Sequence, residues 1–174
     1  MSKTDYDLSK IKAFIFDVDG VLSPSKLFIE TKGEPRRMMN VKDSYAIQYA
    51  CKLGYTIVVL TGAKSNILKT KYQQLGVEYV FTEARDKREV YKNWVAKMKL
   101  QPEEIVYMGD DIPDYEVMKL VGFPCCPTDA SIDIQRIARY ISPYIGGEGC
   151  VRDVIEQTLR AQGKWFDTNH AYYW

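Results

Sequence analysis

Histidine is almost absent from this sequence: His170, close to the C-terminus, is the only one among 174 residues. That scarcity speaks against a Ser-His-Asp triad or a histidine-ligated zinc centre, and leaves acid–base chemistry to carboxylates, lysines or tyrosines. Cysteine is scarce too. Cys51, Cys125, Cys126 and Cys150 lack zinc-type spacing and form no disulfide-like framework, so reduced, mostly buried thiols are expected. Neither sign of charge prevails, with 24 Lys and Arg against 23 Asp and Glu, which removes the basic footprint of a nucleic-acid or anionic-membrane binder. No apolar run approaches the ~20 residues of a membrane helix, and the polar start Met1-Ser2-Lys3-Thr4-Asp5 is unlike a signal peptide. The expectation is a soluble, cytoplasmic chain forming one domain over residues 1–174.

What the chain does have is Phe14-Ile15-Phe16-Asp17-Val18-Asp19-Gly20-Val21-Leu22, an apolar run closed by two aspartates and a glycine. The run reads as a buried strand. Residues at i and i+2 of a strand share a face, which sets Asp17 beside Asp19. Two carboxylates at the end of a buried strand repel each other and lose water, and a hard cation such as Mg2+ relieves both costs. Gly20 permits a sharp turn and a close approach. Alone, the fragment is equally readable as a strand followed by an Asp-Gly turn.

Further along, Leu27–Glu30 and Arg36–Val41 flank Thr31-Lys32-Gly33-Glu34 and predict a β-hairpin within about 22–41. Asp43 or Ser44 is placed to cap a helix carrying Ile47, Ala50 and Cys51. Strands are predicted at Tyr55–Leu60, Val77–Phe81, Ile105–Met108, Phe123–Cys126 and Tyr140–Ser142, with helices between them and a last helix marked by Val151, Val154, Ile155, Thr158 and Leu159. Strands alternating with helices predict a Rossmann-like three-layer α/β/α fold on a central parallel sheet. Ligands of such sheets bind outside the carboxyl ends of the strands. At those ends stand Asp17 and Asp19, Thr61, and Asp110 with Asp111, while Lys87 opens the helix after the third strand.

Carboxylates, one hydroxyl and one lysine suit a phosphoryl group attacked in line with Mg2+ bound. Asp17 is the candidate nucleophile, giving an aspartyl-phosphate. Asp19 is the candidate acid, protonating the leaving alcohol and then activating water. Asp110 would complete a metal shell with Asp17 and Asp19, with Asp111 and Asp114 ligating or ordering metal-bound waters. Thr61, the amide of Gly62, and Lys87 would meet phosphoryl oxygens. Plainer readings stay open: Thr61, Asp110 and Asp111 as helix caps, and Lys87 as a solvated surface lysine, although a cation in a first helical turn opposes the macrodipole.

Asp17-Val18-Asp19-Gly20-Val21, Leu60-Thr61-Gly62, Lys87 and Gly109-Asp110-Asp111-Ile112-Pro113-Asp114 together resemble the four motifs of the haloacid dehalogenase superfamily of phosphatases. The resemblance implies the roles given above, with the second aspartate also offering its backbone carbonyl to Mg2+. The gaps from Leu22 to Val41 and from Gly62 to Lys87 leave no room for a cap domain, which predicts an open site lidded by a neighbouring subunit or a macromolecule. Gly146-Gly147-Glu148-Gly149-Cys150-Val151-Arg152-Asp153 and Ala161-Gln162-Gly163-Lys164-Trp165 are similar to a glycine-rich signature and C-terminal tail of the 3-deoxy-D-manno-octulosonate 8-phosphate phosphatases. That likeness implies a small acidic keto-sugar phosphate as substrate, in lipopolysaccharide precursor synthesis. It also implies a homotetramer with hairpin contacts, and a tail (about 162–174) that reaches another subunit. Lys64, Arg152 and Lys164 become candidates for substrate or tail contacts. Four positions depart from the family pattern: Ala63 replaces an arginine that can reach the substrate carboxylate, Ser44 a glycine, Cys150 an alanine and Asp153 a glutamate. The departures keep a nonulosonate 9-phosphate phosphatase open as an alternative. A receiver-like signalling domain is disfavoured by motif order, since Lys87 precedes Asp110.

Overall fold

A computed structural model describes residues 6–166, 169, 171 and 172. Six strands form one sheet: β1 (Ala13–Phe16), β2 (Thr56–Leu60), β3 (Tyr79–Phe81), β4 (Ile105–Met108), β5 (Phe123–Cys126) and β6 (Tyr140–Ile141). Their order is β3-β2-β1-β4-β5-β6 and every pairing is parallel. The helices are α1 (Val41–Lys52), α2 (Asn66–Gln74), α3 (Lys87–Met98), α4 (Tyr115–Met118), α5 (Ile132–Ile137) and α6 (Cys150–Ala161).

Alternation along the strands splits the core into two layers. Phe14, Phe16, Ile57, Val59, Val106 and Met108 pack under α1, α2 and α6. Ala13, Ile15, Val58, Leu60, Ile105 and Tyr107 pack under α3, α4 and α5. Both faces of β1 and β4 are fully covered, which explains their unbroken apolar runs. Neither gap that could hold a cap domain contains one: α2 and β3 are the regular elements between Gly62 and Lys87, and Leu22–Asn40 contains none. Among the described residues, no helix is long and apolar enough to cross a membrane. The four cysteines are free, three of them buried.

Two local expectations are revised. The chain reverses at Thr31–Glu34, but the hairpin is reduced to a single antiparallel bridge between Phe28 and Arg36. Phe28 and Ile29 are exposed, with the Arg36 guanidinium 5.6 Å from the Phe28 ring centre, and two strands alone are marginal in water. Next, α1 begins earlier than the Asp43 or Ser44 cap implied. Asn40 is its cap, accepting from the amides of Lys42 at 2.9 Å and Asp43 at 3.3 Å. Asp43 is buried and caps α6 instead, accepting from the Arg152 amide at 2.7 Å. Within the chain, Trp165 packs edge-on against Tyr45 and Tyr49, and the Tyr45 hydroxyl donates to the Ala171 carbonyl at 2.6 Å. His170, Tyr173 and Trp174 lie outside the described residues.

Candidate active site

The strand register assembles the site. Phe16 pairs with Val59 on one side and with Met108 on the other, so the segments leaving β1, β2 and β4 emerge together. Asp17 therefore stands next to Gly109, its amide bonded to the Met108 carbonyl at 3.1 Å. α3 starts behind this edge with Asp86 as its cap, accepting from the Glu89 amide at 3.1 Å, and that start points Lys87 inward.

Lys87 is 6% exposed. Its Nζ lies 2.8 Å from Asp17 Oδ1 and 2.7 Å from Asp114 Oδ1. The buried Tyr107 hydroxyl donates to the same Asp114 oxygen at 2.6 Å, and the Asp110 amide donates to Asp114 Oδ2 at 3.2 Å. Asp17, Asp110 and Asp114 each place a carboxylate oxygen within 4.8 Å of the others'. Gly20 makes this closeness possible. Its φ is +99°, and a Cβ there would lie 2.0 Å from Asp110 Oδ2.

Burial, and then the charge of Asp114, push the Asp17 carboxyl well above the usual carboxylate range, with Lys87 opposing. Burial, then Asp17 and Asp114, push Asp110 up to about 8. Burial works to lower the Lys87 pKa, but Asp114 and Asp17 outweigh it and the net shift is upward. Three crowded, dry carboxylates facing one lysine are under-neutralised. A hard divalent cation with an appetite for oxygen ligands fits that donor set.

The raised values carry a stability consequence. A folded-state pKa above the unfolded one gives stability that is complete below the unfolded pKa and is lost as pH rises through the folded pKa. Asp17, Asp110 and Asp43, the last pushed by burial up to about 6, all shift this way from 3.8. Metal-free protein in a chelator should therefore lose thermal stability as pH rises from about 5 to about 8, and Mg2+ should flatten the slope. Thermal melts across that range would check it; a melting point rising with pH in the chelator would contradict the charge crowding.

Of the other predicted site residues, Thr61 is buried and does not cap α2. Ser65 does, accepting from the Leu68 amide at 3.1 Å, while Thr61 Oγ1 accepts from the Ala63 amide at 3.1 Å. Gly62 follows at the exposed mouth, and Asp111 is exposed on the turn leading to Asp114. Asp19 follows Asp17 but its carboxylate is held apart from the trio by Arg37, with Nε to Oδ1 at 2.7 Å and Nη2 to Oδ2 at 2.9 Å. Asp114, expected at the metal only alongside Asp111, belongs to the trio itself.

The substrate or tail candidates do not converge on the trio within this chain. Lys64 sits 3.9 Å from Glu83 on the surface. Arg152 pairs with Glu156 at 3.1 Å and lies over the Trp165 and Tyr45 rings. Lys164 lies over Tyr55, which precedes β2 and so stands at the opposite end of the sheet. A cavity of about 610 Å3 beside Arg152, Glu156 and Arg160 likewise includes none of the trio. The glycine-rich loop, by contrast, does serve the site. Gly146 lies so close to the Asp17–Gly20 turn that a Cβ would come 2.0 Å from the Gly20 carbonyl, and the Gly147 amide donates to the Val21 carbonyl at 2.8 Å.

Sequence reasoning missed Tyr107 and Arg37. Tyr107 was legible only as a strand residue, although its place two residues before Gly109-Asp110 is a usable signal. Arg37 carried none, because its contact with Asp19 spans 18 residues of irregular chain.

A family model for haloacid dehalogenase-like hydrolases matches residues 70–152. The 3-deoxy-D-manno-octulosonate 8-phosphate phosphatase KdsC of Yersinia pestis is 32% identical over 156 residues, covering 90% of this chain and 83% of its own. KdsC of Escherichia coli K12 is 32% identical over 154 residues, covering 88% and 82%. The solved Y. pestis phosphatase superposes with a TM-score of 0.87 over 91% of this chain and 85% of its own, at 32% identity. The Moraxella catarrhalis phosphatase, solved with magnesium ion, phosphate ion and KDO, gives 0.87 at 26% identity over 91% of both chains. With the parallel sheet, the acidic trio and this similarity along most of its length, the chain belongs to the haloacid dehalogenase-like hydrolases and, within them, to the KdsC phosphatase family.

Proposed function

We propose that this protein is a Mg2+-dependent phosphomonoesterase that releases phosphate from 3-deoxy-D-manno-octulosonate 8-phosphate in the cytoplasm through an aspartyl-phosphate. The observation that carries this reading is the convergence of Asp17, Lys87, Asp110 and Asp114 at the ends of β1 and β4 and the start of α3.

Asp17 Oδ attacks phosphorus in line with the leaving sugar oxygen. Asp19 delivers the proton to that oxygen, then takes one from the water that hydrolyses the aspartyl-phosphate. Lys87 holds Asp17 in place and meets the phosphoryl oxygens, joined by the Thr61 hydroxyl and the Gly62 amide. Asp17, Asp110 and the Asp19 backbone carbonyl would hold Mg2+, with Asp114 in the same cluster and Asp111 behind, and the ion would supply the charge neutralisation that lets an anionic ester approach a carboxylate. Tyr107 and Lys87 hold Asp114 in the orientation this requires.

The open site and the exposed apolar side chains Phe28, Ile29, Met38, Val41 and Ile67 support a homotetramer in which the reversing segment and tail are covered by neighbours. Steady-state phosphate release on the eight-carbon substrate, its nine-carbon analogue and hexose phosphates tests the assignment. Preference for the eight-carbon ester is expected. The nine-carbon reading is favoured by Ala63, which removes a guanidinium from the mouth, and preference for that ester would replace the first assignment.

A further inference from the structure

The carboxylate assigned to proton transfer is already occupied. Arg37 grips both oxygens of Asp19 with two parallel N–H donors, the geometry in which a guanidinium binds a carboxylate most selectively. The Arg37 side chain is only 11% exposed and that of Asp19 31%, so the pair is sheltered. The other contact of the fork, from Nη1 to the Pro35 carbonyl, is 3.5 Å long and holds it weakly. An Asp19 that accepts at both oxygens from one fork has the lone pairs facing Arg37 taken and only its outer ones left for a leaving group. Releasing the fork would free both oxygens to carry the proton.

Arg37 also lines a cavity of about 370 Å3 between residues 34–39 and α2, with Val18, Ser23, Met39 and Tyr72 in its wall. Val18 lies between the two catalytic aspartates in sequence. Ser23 is 2% exposed, and its hydroxyl finds no hydrogen-bond partner among the described residues. A cation fork and an unsatisfied hydroxyl thus share a partly apolar cavity at the shoulder of the phosphoryl site. At the mouth, Ala63 offers no charge, and Lys64 is 84% exposed beside Glu83.

Building on the function proposed above, we propose that Arg37 is the specificity-determining residue, a latch that releases Asp19 when the carboxylate of the substrate takes its place on the guanidinium fork. Exchanging one carboxylate for another preserves the bidentate pair. A phosphomonoester without a carboxylate has to break it and leaves a sheltered guanidinium unpaired. The site thereby selects phosphate esters of sugar acids, and frees its proton donor only when one is bound.

The test compares kcat/KM for 3-deoxy-D-manno-octulosonate 8-phosphate with that for p-nitrophenyl phosphate, in the wild type, Arg37→Met and Arg37→Lys. In Arg37→Met the ratio of the two should fall roughly 10- to 100-fold. Most of the fall should appear as a higher KM for the sugar-acid ester, and the dephosphorylated sugar acid should weaken as an inhibitor in parallel. Arg37→Lys, which keeps the charge but not the fork, should recover part of the ratio. An unchanged ratio, or equal losses on both substrates, would show that Arg37 only braces the segment and would overturn the latch. Wild-type enzyme active on p-nitrophenyl phosphate alone would overturn the sugar-acid reading and the latch together. Wild-type enzyme inactive on both would overturn the phosphatase reading itself.

Discussion

Asp17→Asn should lower phosphate release on the order of 10⁴-fold or more while leaving the fold intact. The two side chains have the same shape, so Lys87 keeps an oxygen acceptor there and the strand ending at Phe16 is undisturbed. What is lost is the anionic nucleophile, and an amide cannot form the acyl phosphate. The same substitution removes one charge from a trio in which Asp114 raises the pKa of Asp17, and Asp17 and Asp114 raise that of Asp110. Metal-free Asp17→Asn should therefore melt no lower than the wild type at pH about 8, because one buried charge no longer needs a counter-ion. Loss of activity without loss of stability is the signature of a residue kept for chemistry. Rapid quench with a phosphorus-labelled substrate should trap a phosphoprotein in the wild type and none in the variant. If the variant kept more than about one hundredth of the activity, Asp17 would be no nucleophile, and its role would shrink to metal binding.

How much of this could be read from the sequence depended on the range of the interactions involved. β1 and β4 were legible because strands buried on both faces must be apolar throughout, and the aspartates and glycines that follow mark where they stop. Lys87 was legible because a cation in a helix's first turn is electrostatically out of place, and the structure gives it two buried carboxylate partners. Helix starts were read less well. Asn40, Asp43 and Ser44 are all plausible caps by residue type, and the choice is made by tertiary contact: the α6 N-terminus claims Asp43, leaving Asn40 for α1. The reversing segment misled for a related reason. Two runs flanking Thr31–Glu34 predict a hairpin, but a hairpin needs a surface to lie on, and Ile29 is 95% exposed. The pairing of Arg37 with Asp19 was illegible altogether. Two adjacent arginines in an irregular segment have no periodicity, and only the folded chain selects Arg37 over Arg36, which pairs with Glu30 instead.

Lys87→Met should be the most destabilising single change in the site, and Mg2+ should reverse much of it. Among the described residues, Lys87 is the one cation paired with Asp17 and Asp114, which are 6% and 1% exposed. Removing one partner of a buried ion pair costs about 3–5 kcal/mol, because the remaining charges stay dry and unpaired. In a chain of this size that corresponds to a melting point lower by roughly 10 °C or more in a chelator. The Tyr107 hydroxyl still reaches Asp114 and offsets only part of the loss. Lysine and metal also compete, since both neutralise the same three carboxylates. The variant should therefore bind Mg2+ more tightly than the wild type, and its melting point should climb further on Mg2+ addition, with about 2.7 kcal/mol recovered at a hundredfold excess over Kd. Activity should not follow stability back: the charge that meets the phosphoryl oxygens is gone, and a loss of roughly 10²–10³ in kcat should persist at saturating Mg2+. Calorimetric titration of Mg2+ into both proteins decides the matter. Weaker binding to Lys87→Met would mean that the lysine builds the metal site rather than balancing its charge, and the electrostatic account of the trio would fall with it.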